Sequence, residues 1–266
     1  MAIEVFNRHE GKFLLDKNMY EKIQYMLLEY MEIDEHNKND EFYTISNIYY
    51  DTKDNHLIRT SLLGPRYKEK LRLRAYGVPS ENEKVYMEIK KKVSGLVNKR
   101  RTTLKLNEAY EFARTGIKPE YKKYMNKQVL NEIEYFLRIY DLEPKLYLAY
   151  DRKALFGKEN RDLRITFDKN IRTRRYNLKL ENGDYGEALL KSDDILMEVK
   201  AEKNIPLWLS KMLSEEKIFK RSFSKYGSEY KKLLEKERSE KGELNLCLNQ
   251  YLMQYQTQAQ LVHQYQ

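Results

Sequence analysis

The sequence predicts an α+β fold, an antiparallel β-barrel tunnel with helices packed outside it. Three observations point there. Segment after segment alternates charged and apolar side chains with the period of two that belongs to strands. Turn residues separate neighbouring segments closely enough for antiparallel pairing. Helical stretches are interspersed without the regular βαβ spacing that a doubly wound parallel sheet needs. "EKLRLRAYG" at 69–77 shows the alternation plainly, with Lys70, Arg72 and Arg74 on one face and Leu71, Leu73 and Ala75 on the other.

Taken in order, "NRHEGKFLL" reads as a first strand with Arg8, Glu10 and Lys12 on one face. "DKNMYEKIQYMLLEYM" spaces Met19, Ile23, Met26, Leu27 and Tyr30 at helical intervals behind Asp16, a good N-cap. "FYTISNIYYD" returns to strand, followed by a turn or short helix at "TKDNHLIRTSL" and a break at Gly64 and Pro65. "EKVYMEIKKKV" pairs with the strand at 69–77 across "GVPSENE". "NEAYEFARTG" is a short helix stopped by Gly116, and the next helix carries a stripe through Tyr124, Val129, Ile133, Phe136 and Leu137. Strands resume at "KLYLAYDRKAL", "LRITFDKNIRTRRY" and "DILMEVKAE". "PLWLSKMLSEE", with Pro206 in its first turn, and "SKYGSEYKKLLEKE" are helical. Residues 1–232 are expected to form the tunnel domain, and 233–266, rich in Gln, a helical or flexible tail.

Composition narrows the class. The chain has 266 residues, 41% apolar with 23 Tyr and 9 Phe, which is enough to build a core. Lys and Arg total 50 against 41 Asp and Glu, so anionic partners are favoured, with nucleic acid, acidic membrane, nucleotides and polyphosphate all open. The single cysteine, Cys247, excludes an internal disulfide and a thiolate zinc site. "MAIEVFNRHEGKF" lacks the pattern of a signal peptide and no window resembles a transmembrane helix, so the expected location is cytoplasmic. No RNA-binding signature accompanies the basic residues, so nucleic acid is not expected as a partner. His9, His36, His56 and His263 have no ligand spacing.

The charged faces share a mixed sign. Glu88, Lys90 and Lys92 lie together, as do Asp162, Arg164, Thr166 and Asp168, and Glu198 with Lys200. An open sheet with this face in water explains any one strand. A whole set of such faces fits a barrel with a polar lumen, where each inward cation requires water or an anion. Phosphoryl oxygens suit both the arginine fork and the lysine ammonium. Interleaved carboxylates would orient these cations or hold a divalent metal, Mg²⁺ or Mn²⁺, against phosphate oxygens. Lys91, Lys99, Lys153 and Arg161 read as solvated, and Asp51 in "YYDT" as a residue that orders the tunnel entrance.

"RHEGKF", "IYYDT", "KLRLRAYG", "YMEIKKK", "NKRR", "AYDRKAL", "LRITFDKNI", "MEVK" and "SFSKYGS" occur in order over about residues 6–232. Together they resemble the polyphosphate polymerase domain of the vacuolar transporter chaperone (VTC) family, within the triphosphate tunnel metalloenzymes. The resemblance implies transfer of the γ-phosphoryl group of ATP to a growing polyphosphate chain, with release of ADP and a divalent metal, Mn²⁺ or Mg²⁺. It implies that Arg72 and Arg74 grip the triphosphate and that Lys12, Lys70, Lys90, Arg100, Arg152, Arg164 and Lys200 complete the basic lining. Glu198, with Glu10, is implied as metal ligand, and Ser224 with Lys225 as a further phosphate contact. Two departures stand out. Arg8 occupies a carboxylate position of the related "ExExK" strand, and Ser222 replaces a lysine before the "SK" element. Hydrolysis of ATP or triphosphate by the same tunnel, and a non-enzymatic polyphosphate or inositol-phosphate binding module, are the alternatives. Any membrane association would be peripheral, through a partner.

Overall fold

Alternating side chains become strands wherever the apolar set finds helices to cover it. The structure, a computed structural model, describes residues 5–6, 9–35, 37, 41–94, 96–202 and 204–240. Arg8, His36, His263, Cys247 and the rest of 241–266 lie outside the described residues.

The strands are β1 (Val5–Phe6), β2 (His9–Leu15), β3 (Met31–Ile33), β4 (Tyr43–Thr52), β5 (Tyr67–Tyr76), β6 (Lys84–Val93), β7 (Leu96–Lys105), β8 (Leu142–Gly157), β9 (Arg164–Arg174), β10 (Glu187–Ala188) and β11 (Ile195–Ala201). The helices are α1 (Lys17–Leu27), α2 (His56–Leu62), α3 (Leu106–Thr115), α4 (Lys127–Ile139), α5 (Leu207–Glu215) and α6 (Lys225–Glu240). Asp16 caps α1 by accepting from the Met19 amide, and Gly116, at φ 70°, takes the left-handed turn that ends α3.

All strands belong to one antiparallel sheet ordered β1-β7-β6-β5-β4-β8-β9-β11-β2, with β10 added to β9 and β3 to β8. The closed barrel expected from the sequence is not formed. Among the described residues no pairing joins the two ends of this order. Among the described residues, β1 pairs with β7 at Val97 and Asn98, and β2 at the other end pairs with β11. The sheet nevertheless curls, since Glu10 and Lys12 of β2 border the same cavity as Lys90 of β6 and Lys99 of β7. Between these two margins Glu10 attracts Lys90 while Lys12 repels it.

Three apolar clusters explain the curl. On the convex side Leu71, Leu73, Val85, Met87, Ile89 and Leu104 pack under α3 and α4. Also on the convex side, Phe13, Ile165, Phe167, Met197 and Val199 pack under α1 and α5. The third cluster corrects the expectation that every helix lies outside. It joins Ile58 of α2 and Tyr226 and Tyr230 of α6 to Ile45, Tyr49, Leu146, Leu148 and Tyr150, which alternate with the convex-side residues. Thus α6 packs on the concave face and fills part of it, while α2 gives Ile58 to this cluster and Leu57 to the first. Asp51 fastens them: its buried carboxylate accepts from the Leu57 and Ile58 amides of α2 and from the Tyr226 hydroxyl.

Candidate functional site

What α6 leaves open is a cavity of about 260 Å³, lined by eleven Lys and Arg side chains against three carboxylates. Cross-strand register builds it in rows. Lys70 stands opposite Lys90, Arg72 opposite Glu88, and Glu88 opposite Arg101. On the other side Arg152 faces Asp168, Arg164 faces Lys200, and Glu198 faces both Thr166 and Lys12.

The arginines are fixed by their neighbours. Arg72 donates from Nε to Glu88 (2.7 Å) and from Nη1 to the Tyr49 hydroxyl (3.1 Å), and its Nη2 lies 2.6 Å from Glu88. Arg74 donates from Nε to Asn47 (2.9 Å) and from Nη2 to Tyr150 (3.2 Å). Arg152 forks onto Asp168 through Nε and Nη2 at 2.6 and 2.7 Å. A guanidinium carries five N–H donors, so each keeps unused donors after these contacts. Glu88 is buried, which raises its affinity for a proton, yet Arg72, Arg74 and Lys99 outweigh burial and hold it well below the carboxylate range.

The lysines are freer. Among the described residues neither Lys70 nor Lys90 has a hydrogen bond or a carboxylate within ion-pair distance; Lys70 only approaches the Tyr226 ring, at 5.9 Å. Burial pushes Lys70 down to about 8, Tyr49 opposing and Lys90, Lys68 and Lys12 reinforcing. Burial likewise takes Lys99 to about 7 although Glu88 lies 2.8 Å away. Lys200 is pushed to about 8 by the same cause. The Tyr49 phenol moves the opposite way: burial would raise it, but Arg72, Arg74 and Lys70 bring it down to about 8. Burial is the main cause for the lysines, with neighbouring cations adding to it, whereas the acidified Tyr49 phenol reports the positive charge of Arg72, Arg74 and Lys70 directly.

Of the residues named from sequence, Glu10, Lys12, Lys70, Arg72, Arg74, Lys90, Arg152, Arg164, Glu198, Lys200, Ser224 and Lys225 border this cavity. Arg100 does not. Its guanidinium turns to α4, onto Glu132 (2.5 Å) and Gln128 (2.9 Å), because the strand parity set by buried Leu104 and Thr102 sends even-numbered residues of β7 to the convex side. Lys99 and Arg101 take its place, so Lys99 is a wall residue rather than a solvated one. Lys153 is also not solvated: it is buried, with Nζ 5.8 Å from the Phe42 ring centre. Glu88, Asp168 and Tyr49 were not selected from sequence; their places in the alternation were the available signal.

Glu198 sits differently from Glu88. Lys225 Nζ is 3.1 Å from it, Lys12 3.7 Å, and Arg152 and Lys200 3.8 Å each. Burial opposes its ionisation, but these four cations keep it ionised well below the usual range. Glu10 is held low against burial by Lys200, Lys90 and Lys12. Beside them Thr166 Oγ1 and Arg164 Nε are buried without a hydrogen-bond partner among the described residues. No group of three or more potential metal-ligating side chains occurs among the described residues. Two hard carboxylates and an orphaned hydroxyl are the kind of oxygen donors that would suit a divalent cation. Ser224 accepts from the Gly227 amide, so the first turn of α6 brings Lys225 and amide dipoles to the cavity.

A curved antiparallel sheet around a cation-lined cavity is the architecture of the CYTH-like triphosphate tunnel metalloenzyme superfamily. Within it, the VTC domain matches residues 7–234, and the chain belongs to that family. Among solved structures, a candidate adenylate cyclase from Bacillus halodurans is 16% identical with a TM-score of 0.51, over 83% of this chain and 94% of its own. A candidate adenylate cyclase from Vibrio parahaemolyticus is 14% identical with a TM-score of 0.45, over 87% and 98%. A candidate adenylyl cyclase from Hippeastrum, described as having a dominant triphosphatase activity, is 16% identical with a TM-score of 0.47, over 82% and 92%. The first of these likenesses supports the fold alone. No curated protein matches the chain. No helix among the described residues is long and apolar enough to cross a membrane.

Proposed function

We propose that this domain is a polyphosphate polymerase that transfers the γ-phosphoryl group of ATP to the end of a polyphosphate chain and releases ADP. The observation that carries the reading is the cavity's charge: eleven cations against three carboxylates, with Lys70 and Lys90 unpaired among the described residues. Such an excess is tolerable only with a polyanion or water inside.

Phosphoryl transfer asks for position and charge neutralisation rather than a covalent nucleophile. A terminal phosphate oxygen of the acceptor forms the new bond to the γ-phosphorus. The bond from that phosphorus to the β,γ-bridging oxygen breaks, and its electron pair leaves with ADP. The unused N–H groups of Arg72 and Arg74 are held rigidly for the phosphate oxygens, while Lys70, Lys90 and Lys200 add mobile charge. Lys225 and Lys12 orient Glu198 and reach the same volume. A divalent cation held by Glu198 and Glu10 supplies further charge neutralisation at phosphate oxygens when bound.

Incubation with ATP and Mn²⁺, followed by ³¹P NMR, tests this. Polymerisation gives ADP together with growing internal-phosphate resonances. ADP with orthophosphate alone establishes a hydrolase, and neither product leaves a binding module.

A further inference from the structure

One end of the cavity is unlike the rest. Tyr43 and Tyr76 line it, and their ring centres are 6.0 Å apart at 45°. Tyr86 meets Tyr76 edge-on at 5.8 Å, and Arg101 lies 4.7 Å from the Tyr86 ring centre. Burial raises the Tyr43 phenol above its ordinary value, with Arg152 and Arg164 opposing, so the cations adjoin these rings. Tyr76 is 48% exposed while also lining the cavity, so part of its ring faces the space beside the cations.

We infer that this tyrosine cluster is a nucleobase platform: the exposed ring of Tyr76 stacks the base of the ATP donor while the phosphates run towards Lys70. The inference rests on the triphosphate reading above and adds the part of the substrate that the cations cannot recognise. Tyr76 and Lys70 share one face of β5 six residues apart, roughly 20 Å along a strand. Arg72 and Arg74 lie between them, so the sequence of chemistries along that face is aromatic, then guanidinium, then ammonium. A nucleoside triphosphate has the matching order of π-surface and then anionic oxygens. Tyr86, near-perpendicular to Tyr76, and Tyr43, tilted at 45°, pack against the Tyr76 ring and limit its movement. Stacking is tolerant of base identity, since every base has a π-face. The platform should therefore separate nucleotides from inorganic triphosphate more sharply than ATP from GTP.

The test compares ATP and inorganic tripolyphosphate as ligands of the full chain by calorimetry, in wild type, Tyr76→Ala and Tyr76→Trp. Loss of one stacked base predicts that Tyr76→Ala weakens ATP by at least about fivefold. Tripolyphosphate should stay within about twofold, as a solvated side chain with no phosphate contact would leave it. Tyr76→Trp should keep ATP affinity, and its indole fluorescence should respond to ATP but not to tripolyphosphate. Equal effects on both ligands, or none on either, overturn the platform while leaving the triphosphate site standing. Absence of tripolyphosphate binding in wild type overturns both. A misfolded Tyr76→Ala does not rescue the proposal, because a Tyr76→Trp signal that ignores ATP refutes it independently.

Discussion

Glu88 and Glu198 are both buried carboxylates on the concave face, yet they are held in opposite ways. Glu88 is clamped, with Arg72 at 2.6 Å and Lys99 at 2.8 Å. Glu198 is surrounded rather than clamped, its nearest cation at 3.1 Å and three more between 3.7 and 3.8 Å. Glu88 gives Oε2 to Arg72, and its Oε1, 2.8 Å from the Lys99 ammonium, has no hydrogen-bond partner among the described residues. Glu198 is ringed at longer distance by four cations. The comparison assigns Glu88 to building the arginine wall and leaves Glu198 as the carboxylate proposed to hold a metal.

Removing Glu88 should therefore do the most harm to folding. Glu88→Ala strands the Arg72 and Lys99 charges in a partly buried wall, and breaking a buried pair in this way costs about 3–5 kcal/mol. Urea denaturation checks it; a loss below about 1 kcal/mol would mean the clamp is ornamental.

The arginine wall itself should matter more for rate than for folding. Arg72→Lys and Arg74→Lys keep the charge but discard the fork, and each should lose at least about tenfold in polymer synthesis, with alanine worse by the 2–4 kcal/mol, or about 30- to 1000-fold, of one strong transition-state contact. Arg74 is the more enclosed of the two, so near-normal synthesis in its alanine variant would reduce it to a structural residue.

Glu198→Gln should fold normally and weaken the dependence of turnover on divalent cation concentration by about tenfold, as removal of one of few oxygen ligands does. An unchanged Mn²⁺ titration would move the metal elsewhere.

These two carboxylates also show how far the sequence could be read. Alternation along "EKLRLRAYG" and over Leu163–Asp168 placed each cation and each core residue on the correct side, because a period of two has only two solutions and the apolar set chooses between them; past Asp168 a register shift against β8 moves Ile171 to the concave cluster, which alternation could not show. The same rule hid β7, where Lys99, Arg100 and Arg101 run together and no apolar neighbour breaks the charge; parity becomes visible only from Leu104 backwards. Glu88 stood on the right face, but nothing in a single strand says that its opposite numbers are arginines. Closure was illegible for a related reason. Whether a sheet becomes a barrel depends on which partner its last strand meets, and β1, two residues long, gives no local sign of how little of β7 it covers. Nor did the α6 pattern reveal that Tyr226 and Tyr230 pack on the concave side.

The smallest effect concerns protons. Lys70, at about 8, and Lys99, at about 7, are largely neutral at pH 8.5 in the empty cavity. An anion favours their charged forms, so binding tripolyphosphate at that pH should take up protons, and affinity should fall as pH rises from about 7 to 9. Calorimetry in two buffers of different ionisation enthalpy reads the uptake directly. For folding the sign is reversed. Lys99 binds its proton less well folded than unfolded, so its contribution to stability improves as pH rises through about 7 towards its ordinary value. Identical binding heats in the two buffers would mean that these lysines are already charged.

A site for a polyphosphate anion and a solvated basic surface differ most plainly in how the charged strand faces bind a polyanion. The most direct measurement is the affinity for inorganic tripolyphosphate in wild type, Arg72→Ala and Arg114→Ala, the last removing an exposed α3 cation that pairs only with Glu111 among the described residues. One site per chain is expected, weakened at least about tenfold by Arg72→Ala and by less than about twofold by Arg114→Ala. Equal weakening by the two substitutions, or none by either, would show that the cavity is ordinary basic surface.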